Sequence, residues 1–322
     1  MTEAPRVAVC VSTRNRSALL ERLLDALTTQ TMPVRQFEVV VVDDGSTDDT
    51  ADVLERYAAN GPLQLRFLRH DSSRGPAAGR NAAWREATAS LIAFTDDDCV
   101  PTPAWLASGA AELNAGADVL VGRIQPNPDQ IAQAGPFAHT WTTTKADLRA
   151  YATANMFYRR DGLVRLGGFD ERFRRPAGED TDLGLRAEEL QMTIAYSAEA
   201  MVWHDVRPDG VFGKMRDQAR WGDIPRLFRD HPDARRSLLL HGVFWKRSHV
   251  DLLLLLAGVA VAPRQPRALV AVLPWAHRKL CERDSESIAA SDVAALPGML
   301  AVDLAELAAM VRGSIKHRSL VL

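Results

Sequence analysis

Four short apolar runs, each ending in a polar tip, constrain the architecture open to this chain. Val7–Val11, Phe37–Val42, Leu65–Arg69 and Leu91–Thr95 are dominated by Val, Leu, Ile and Phe. Unbroken runs of this length read as strands covered on both faces, as in a parallel sheet. Segments of helical period lie between them. Leu19, Leu20, Leu23, Leu24 and Leu27 follow the first run; Val53, Leu54 and Tyr57 follow the second and stop at Asn60-Gly61. Strands alternating with helices imply an α/β fold with a mostly parallel sheet flanked by helices. Ligands of such sheets bind outside the carboxyl ends of the strands, so the polar tips are the candidate site.

The fourth tip, Asp96-Asp97-Asp98 followed by Cys99, is the most demanding. Adjacent carboxylates repel unless a cation neutralises them, and oxygen ligands favour a hard ion, Mg²⁺ or Mn²⁺. Such an ion in turn favours phosphate oxygens, which points to a diphosphate ligand. The first tip, Ser12 to Ser17, contains no glycine, so a G-x-G-x-x-G dinucleotide loop is excluded. Thr13, Arg14 and Arg16 are either solvated or donate hydrogen bonds to that diphosphate. At the second tip Asp43 and Asp44 can accept from a nucleobase N–H or a ribose hydroxyl, whereas Asp48 and Asp49 face the macrodipole of the next helix. The small-residue loop Gly75 to Gly79 opens a helix that points Arg80 toward the same crevice.

The chain is long enough, at 322 residues and 47% hydrophobic, for one large core and a smaller attachment. Its net charge of −2 hides an uneven distribution, with fourteen Lys or Arg against six Asp or Glu from Val211 to Arg283. We therefore divide it into a catalytic domain, 1–210, and a basic, apolar, helical region, 211–322. Three cysteines without CxxC spacing indicate neither a disulfide framework nor a zinc site. The first residues are not a cationic n-region and Val7–Val11 is too short for a signal core, so the expected location is cytoplasmic. The basic region lacks interleaved aromatics and a recognition motif, which argues against nucleic acid.

Within that region Leu252–Ala262 and Ala268–Ala276 are apolar runs separated by Pro263, Arg264 and Arg267. Both fall short of the ~20 residues of a spanning helix. They are either a pair of interfacial helices at anionic lipid, giving peripheral membrane contact through 211–283, or a buried hairpin. Val293–Val311 is expected to be an amphipathic helix. Upstream, Pro103–Ala115 reads as a helix, Asp118–Gly122 and Thr153–Tyr158 as strands, and 125–144 as an ordered excursion over an acceptor cleft.

The succession Val11 to Arg16, Val42 to Asp48, Gly75 to Asn81, Phe94 to Asp98 with Pro101, Gly167 to Phe173 and Gly178 to Arg186 resembles glycosyltransferase family 2, over about residues 5 to 210. The resemblance implies a GT-A fold, Rossmann-like with a helical C-terminal extension, and a nucleoside-diphosphate sugar donor, here taken as UDP-linked. It implies that Thr13 and Asp44 hold nucleobase and ribose, that Arg80 contacts the diphosphate or base, and that Asp96 and Asp98 form the DxD pair with Asp98 on Mn²⁺ or Mg²⁺. His204, oriented by Asp205, is implied as a further metal or diphosphate ligand. Asp97 is the variable middle position and is left out. Moving a sugar to a hydroxyl acceptor needs a base, for which Asp180 is the candidate with Glu179 in support. Attack opposite the leaving group inverts the anomeric centre. The acceptor classes are lipid-linked glycans, polysaccharides of the cell envelope and natural products.

Two other readings compete. Asp96-Asp97-Asp98-Cys99-Val100 also resembles the D-x-D-x-[TV] motif of haloacid-dehalogenase phosphatases, with Asp96 as nucleophile, although that nucleophile follows the first strand of its domain. A non-catalytic sugar-nucleotide-binding or scaffold protein is the second, against which stand the acids in both metal and base positions.

Overall fold

The computed structural model describes residues 4–131, 134–207, 209–281 and 290–322. It divides into two compact units, Met1–Ala132 with Thr140–Val206, and Gln133–His139 with Arg207–Leu322.

The first unit holds one eight-stranded sheet: β1 (Val7–Thr13), β2 (Phe37–Asp43), β3 (Leu65–Arg69), β4 (Leu91–Thr95), β5 (Cys99–Pro101), β6 (Val119–Pro126), β7 (Asn155–Arg159) and β8 (Ile194–His204), in the order β3-β2-β1-β4-β7-β6-β8-β5. Pairing is parallel from β3 through β4 and between β6 and β8, and antiparallel at β7 and β5. Helices α1 (Ser17–Thr28), α2 (Thr50–Asn60), α3 (Pro76–Glu86), α4 (Trp105–Asn114), α5 (Pro128–Ile131), α6 (Arg160–Leu166) and α7 (Glu179–Glu189) complete it.

Alternate residues of β1 feed two separate cores. Val7, Val9 and Val11 pack with Leu20, Leu23, Leu24 and Leu27 of α1, while Ala8 and Cys10 pack with Ala77, Ala83 and Trp84 of α3. All four α1 leucines are fully buried, each contributing about 1.5–3 kcal/mol. Covering on both faces is why β1 and β4 carry no polar alternation, whereas the edge strand β3, less covered, carries Arg66 and Arg69. The small residues of α3 allow close approach: a Cβ on Gly79 would lie 2.1 Å from Ser12 Oγ. Because β1 connects onward to β2 on one side and has β4 on the other, the carboxyl ends of β1 and β4 flank a topological switch point.

The acidic loop contains a strand that the sequence pattern does not show. β5 is three residues long and sits at the sheet edge, where Pro101 needs no ladder partner for a missing N–H. It places Cys99 opposite His204 of β8.

The second unit consists of residues 134–139 and the helices α8 (Val211–Gln218), α9 (Ile224–Asp230), α10 (Arg235–Leu238), α11 (Arg247–Val261), α12 (Leu273–Cys281) and α13 (Ala290–His317). Its helices all follow Arg207, and residues 134–139, expected in the first domain, join them. The expected excursion over 125–144 is split instead. β6 continues through Pro126, and His139 pairs with Arg207 through two backbone hydrogen bonds of 2.9 and 3.2 Å. Leu252, Leu255, Trp275 and Met299 form one buried apolar cluster of this unit, and Leu227, Phe228 and Met310 are buried elsewhere in it. By length and composition α13 could cross a membrane, yet 39% of its most apolar window is buried in the unit. Lys246 pairs with its Glu306, and Lys279 and Trp275 with its Asp303.

Candidate active site

The loops after β1 and β4 lock together through the acidic triplet. Thr13 Oγ1 donates to Asp97 Oδ2 at 2.7 Å, and Arg16 Nη1 donates to Asp97 Oδ1 at 2.7 Å and to Asp98 Oδ2 at 2.9 Å. Asp97, which the sequence reading omitted, is thus the acid that Thr13 and Arg16 hold. Burial pushes its carboxyl up to about 6, with Arg16 pulling the other way and Asp98 adding to the rise. Arg14 is exposed on the same loop and lies apart from the triplet's hydrogen bonds.

A second cation ties the triplet to α7. Arg80, 5% exposed, donates from Nη2 to Asp96 Oδ1 at 2.7 Å and from Nη1 to Glu179 Oε1 at 2.8 Å. Its guanidinium also stands 5.8 Å from the Phe169 ring centroid. Burial raises Asp96, but the Arg80 charge and hydrogen bond more than offset it, so Asp96 lies below the ordinary carboxylate range. Glu179 stays above that range through burial, and its Oε2 is buried without a hydrogen-bond partner among the described residues.

Removing Arg80 leaves two buried carboxylates without their shared cation. Arg80→Ala is therefore expected to destabilise the fold by about 3–5 kcal/mol, which urea denaturation will register as a lower midpoint. Arg80→Lys, lacking the planar fork, will recover only part of that loss.

Gly178, at φ +94°, caps the start of α7, and Asp180 lies in the helix's first turn. Burial, and then the adjacent Glu179 charge, push the Asp180 carboxyl up to about 7. That poises a half-buried carboxylate to exchange a proton near neutrality.

The two acids at the tip of β2 behave unequally. Asp44 accepts from His70 Nδ1, Ser73 Oγ and the backbone N–H groups of Arg74 and Gly75 at 2.7–2.9 Å. These occupy its four acceptor positions, so it arranges the loop entering α3 rather than offering a free edge to a ribose. Asp43 instead accepts from Ser46 N through Oδ1, while its buried Oδ2 has only Arg69 Nε, at 3.4 Å and without hydrogen-bond geometry. Asn155 is fully buried and structural, bonded to Trp105 Nε1 and to the carbonyls of Arg123 and Ala200.

The residues present fit a divalent cation. Asp98, Cys99 and His204 are all buried, with candidate ligand atoms within 4.8 Å of one another. His204 Nε2 is 3.5 Å from Asp98 Oδ1, and its Nδ1 lies 2.9 Å from the Asp205 carbonyl, which directs Nε2 toward the acid. So His204 is oriented by the backbone of Asp205, while the Asp205 carboxylate binds Arg22 and Gln130. Burial, then Asp98 and Asp96, push the Cys99 thiol far up, leaving a neutral sulfur beside an oxygen and nitrogen donor set. Carboxylate with imidazole suits Mn²⁺ well and Mg²⁺ less so.

Residues 8–165 match the family model Glycosyl transferase family 2. That segment is a glycosyl transferase family 2 domain. It is 27% identical to glycosyltransferase AglE of Haloferax volcanii over 242 residues, 73% of this chain and 79% of that protein. Among solved structures, the mannosyltransferase PcManGT from Pyrobaculum calidifontis, in complex with GDP-Man and Mn²⁺, aligns at TM-score 0.58 and 21% identity, covering 98% of this chain and 88% of that one. Staphylococcus aureus TarS 1–349 in complex with UDP aligns at TM-score 0.53 and 21% identity, covering 98% and 92%. The fold is GT-A, and the chain is a glycosyltransferase. This corrects the phosphatase and scaffold readings: Asp96 follows the fourth strand and is ion-paired to Arg80, a poor setting for a nucleophile.

Sequence reasoning missed Asp97, Cys99 and Asn81. Asn81 Nδ2 donates to the Phe169 carbonyl and to Glu171, and its Oδ1 accepts from Phe169 N and Trp84 Nε1. It fixes the Gly167 to Phe173 loop against α3. Its place one residue after Arg80 was the available signal.

Proposed function

We propose that this family 2 enzyme is a metal-dependent, inverting glycosyltransferase that takes its sugar from a UDP-linked donor and delivers it to a hydroxyl of a lipid-linked glycan, with polysaccharides and natural products the other acceptor classes. The observation that carries the reading is the chain of contacts Asp98, Arg16, Asp97 and Thr13 beside Asp96, Arg80 and Glu179, ending at Asp180. It joins a candidate cation site to a candidate base.

A divalent cation held by Asp98 and His204 would supply charge stabilisation of the departing diphosphate. Asp43 Oδ2 is the acceptor offered to the nucleobase or ribose. Arg16 and Arg80 stand as cations beside the diphosphate position and keep the carboxylates in place. Asp180 accepts the proton of the acceptor hydroxyl as its oxygen attacks the anomeric carbon on the face opposite the leaving diphosphate. The carbon–phosphate-oxygen bond breaks and the configuration inverts. Glu179, anchored by Arg80, sets the position of Asp180 at the start of α7.

UDP is favoured because TarS 1–349, of the same fold, was solved with UDP; the GDP-Man complex of PcManGT makes GDP the second candidate. We place the reaction at the inner face of a membrane, where the basic second unit meets a lipid-linked acceptor. Calorimetric titration with UDP, GDP and dTDP, each with Mn²⁺ and then with EDTA, tests the donor. The expected result is binding of UDP that disappears with EDTA. Metal-independent binding, or binding of none of the three, would remove the cation or the donor from this reading.

A further inference from the structure

α11 and the segment that follows it form a hairpin that is packed at its base and largely bare from Leu256 to Pro274. His249, Asp251, Leu252, Leu255 and Gly258 point into the second unit. Leu254, Leu256, Val259 and Val261 on α11, Leu269 and Val270 on the 3-10 segment Pro266–Val272, and Leu273 on α12 are 36–64% exposed. The two arms touch closely, since a Cβ on Gly258 would lie 2.6 Å from Ala268 O and 2.8 Å from Ala271 Cβ. Aliphatic side chains concentrated on one short hairpin are more than the scattered exposure of an ordinary surface.

The charge carried by the hairpin from Leu252 to Cys281 is of one sign. No Asp or Glu occurs from Leu252 to Cys281, while Arg264, Arg267, Arg278 and Lys279 do. Arg278 is paired with Asp251 and Lys279 with Asp303. Arg264 and Arg267, at the turn, are exposed and have no carboxylate partner among the described residues. A second copy of this chain would bring these arginines against their like. An anionic bilayer matches both the aliphatic surface and the cations.

We infer that the exposed apolar surface of the α11 hairpin is a membrane-surface anchor that lies flat in the interface of an anionic bilayer. Arg264 and Arg267 exclude insertion turn-first, because both would then enter hydrocarbon. Lying flat, the valines and leucines reach the acyl boundary while the guanidinium groups extend to phosphate. The inference deepens the membrane-facing part of the proposed function and names the surface that carries it out.

Flotation of the full chain with vesicles tests it. Wild type should float with a phosphatidylcholine and phosphatidylglycerol mixture, and about tenfold less with phosphatidylcholine alone. Val259→Glu with Val270→Glu should lower the vesicle-bound fraction about tenfold or more on both lipids. Arg264→Gln with Arg267→Gln should remove only the preference for the anionic vesicle, and it leaves the packed base untouched should the glutamate pair fail to fold. Both variants should keep the wild-type circular dichroism and bind nucleoside diphosphate as wild type does. Wild type that stays with the dense fraction, or glutamate variants that float unchanged, would overturn the anchor. Loss of nucleotide binding in wild type would instead overturn the donor reading and leave the anchor standing.

Discussion

Asp98→Ala is expected to abolish Mn²⁺-dependent binding of the nucleoside diphosphate and to lower kcat/KM on the order of a thousandfold, because the cation's contribution to leaving-group stabilisation is several kcal/mol. Asp98 is the acid that His204 Nε2 faces, at 3.5 Å. The fold should survive, since Arg16 keeps Asp97 and Arg80 keeps Asp96. Asp97→Asn is the informative comparison. It disturbs the Thr13 and Arg16 contacts and should weaken donor binding while retaining dependence on the metal. Calorimetry of both variants with Mn²⁺ and EDTA decides between them. If Asp97→Asn loses the metal response and Asp98→Ala keeps it, the two acids have exchanged roles.

The central strands β1, β2 and β4 were legible because they are buried on both faces. β3 and β4 fall on the expected residues, β1 and β2 run two and one residues further, β7 starts two residues later and ends one later, and β6 continues four residues past its expected end. β1 and β4 are apolar up to their tips and β2 is apolar but for Glu38, and the helices after β1 and β2 repeat at 3.6 residues, so period and tip agree there. The site was legible less evenly. That three acids crowd one loop is a statement about composition, but which of them turns toward Arg16 is set by the backbone path between β4 and β5. β5 is only three residues long and its pairing with β8 is non-local, so no local pattern announces that Cys99 meets His204. Asp44 illustrates the opposite error. A strand-tip acid beside a crevice looks available, yet Ser73, His70 and two backbone N–H groups from the next loop take its oxygens. Residues 134–139 were assigned to the acceptor side for their composition, and the backbone pairing of His139 with Arg207 carries them to the second unit.

Asp180→Asn should lower transfer by about 10²–10⁴-fold and leave donor binding intact, as expected for removal of a general base that the donor does not touch. The pH profile supplies the sharper test. Burial and Glu179 bring Asp180 to about 7, and only its ionised form can take the acceptor's proton. Wild-type kcat/KM should therefore fall as pH drops through about 7. Asp97, brought to about 6 mainly by burial, contributes a second loss at lower pH as its hold on Arg16 weakens. In Asp180→Asn the limb near 7 should vanish while the lower one remains. Stability should move the other way from activity. A carboxyl raised by folding is ionised in the unfolded chain before it is in the folded one, so between the ordinary carboxylate range and about 7 rising pH costs wild-type stability. The amide has no proton to lose, and Asp180→Asn should melt no lower than wild type at pH 8. An inactive variant that is at least as stable and still binds UDP would separate the chemistry of Asp180 from its place at the start of α7. A variant that transfers at the wild-type rate would remove Asp180 as the base and turn attention to Glu179, whose unpartnered Oε2 is the next carboxyl oxygen in the same turn.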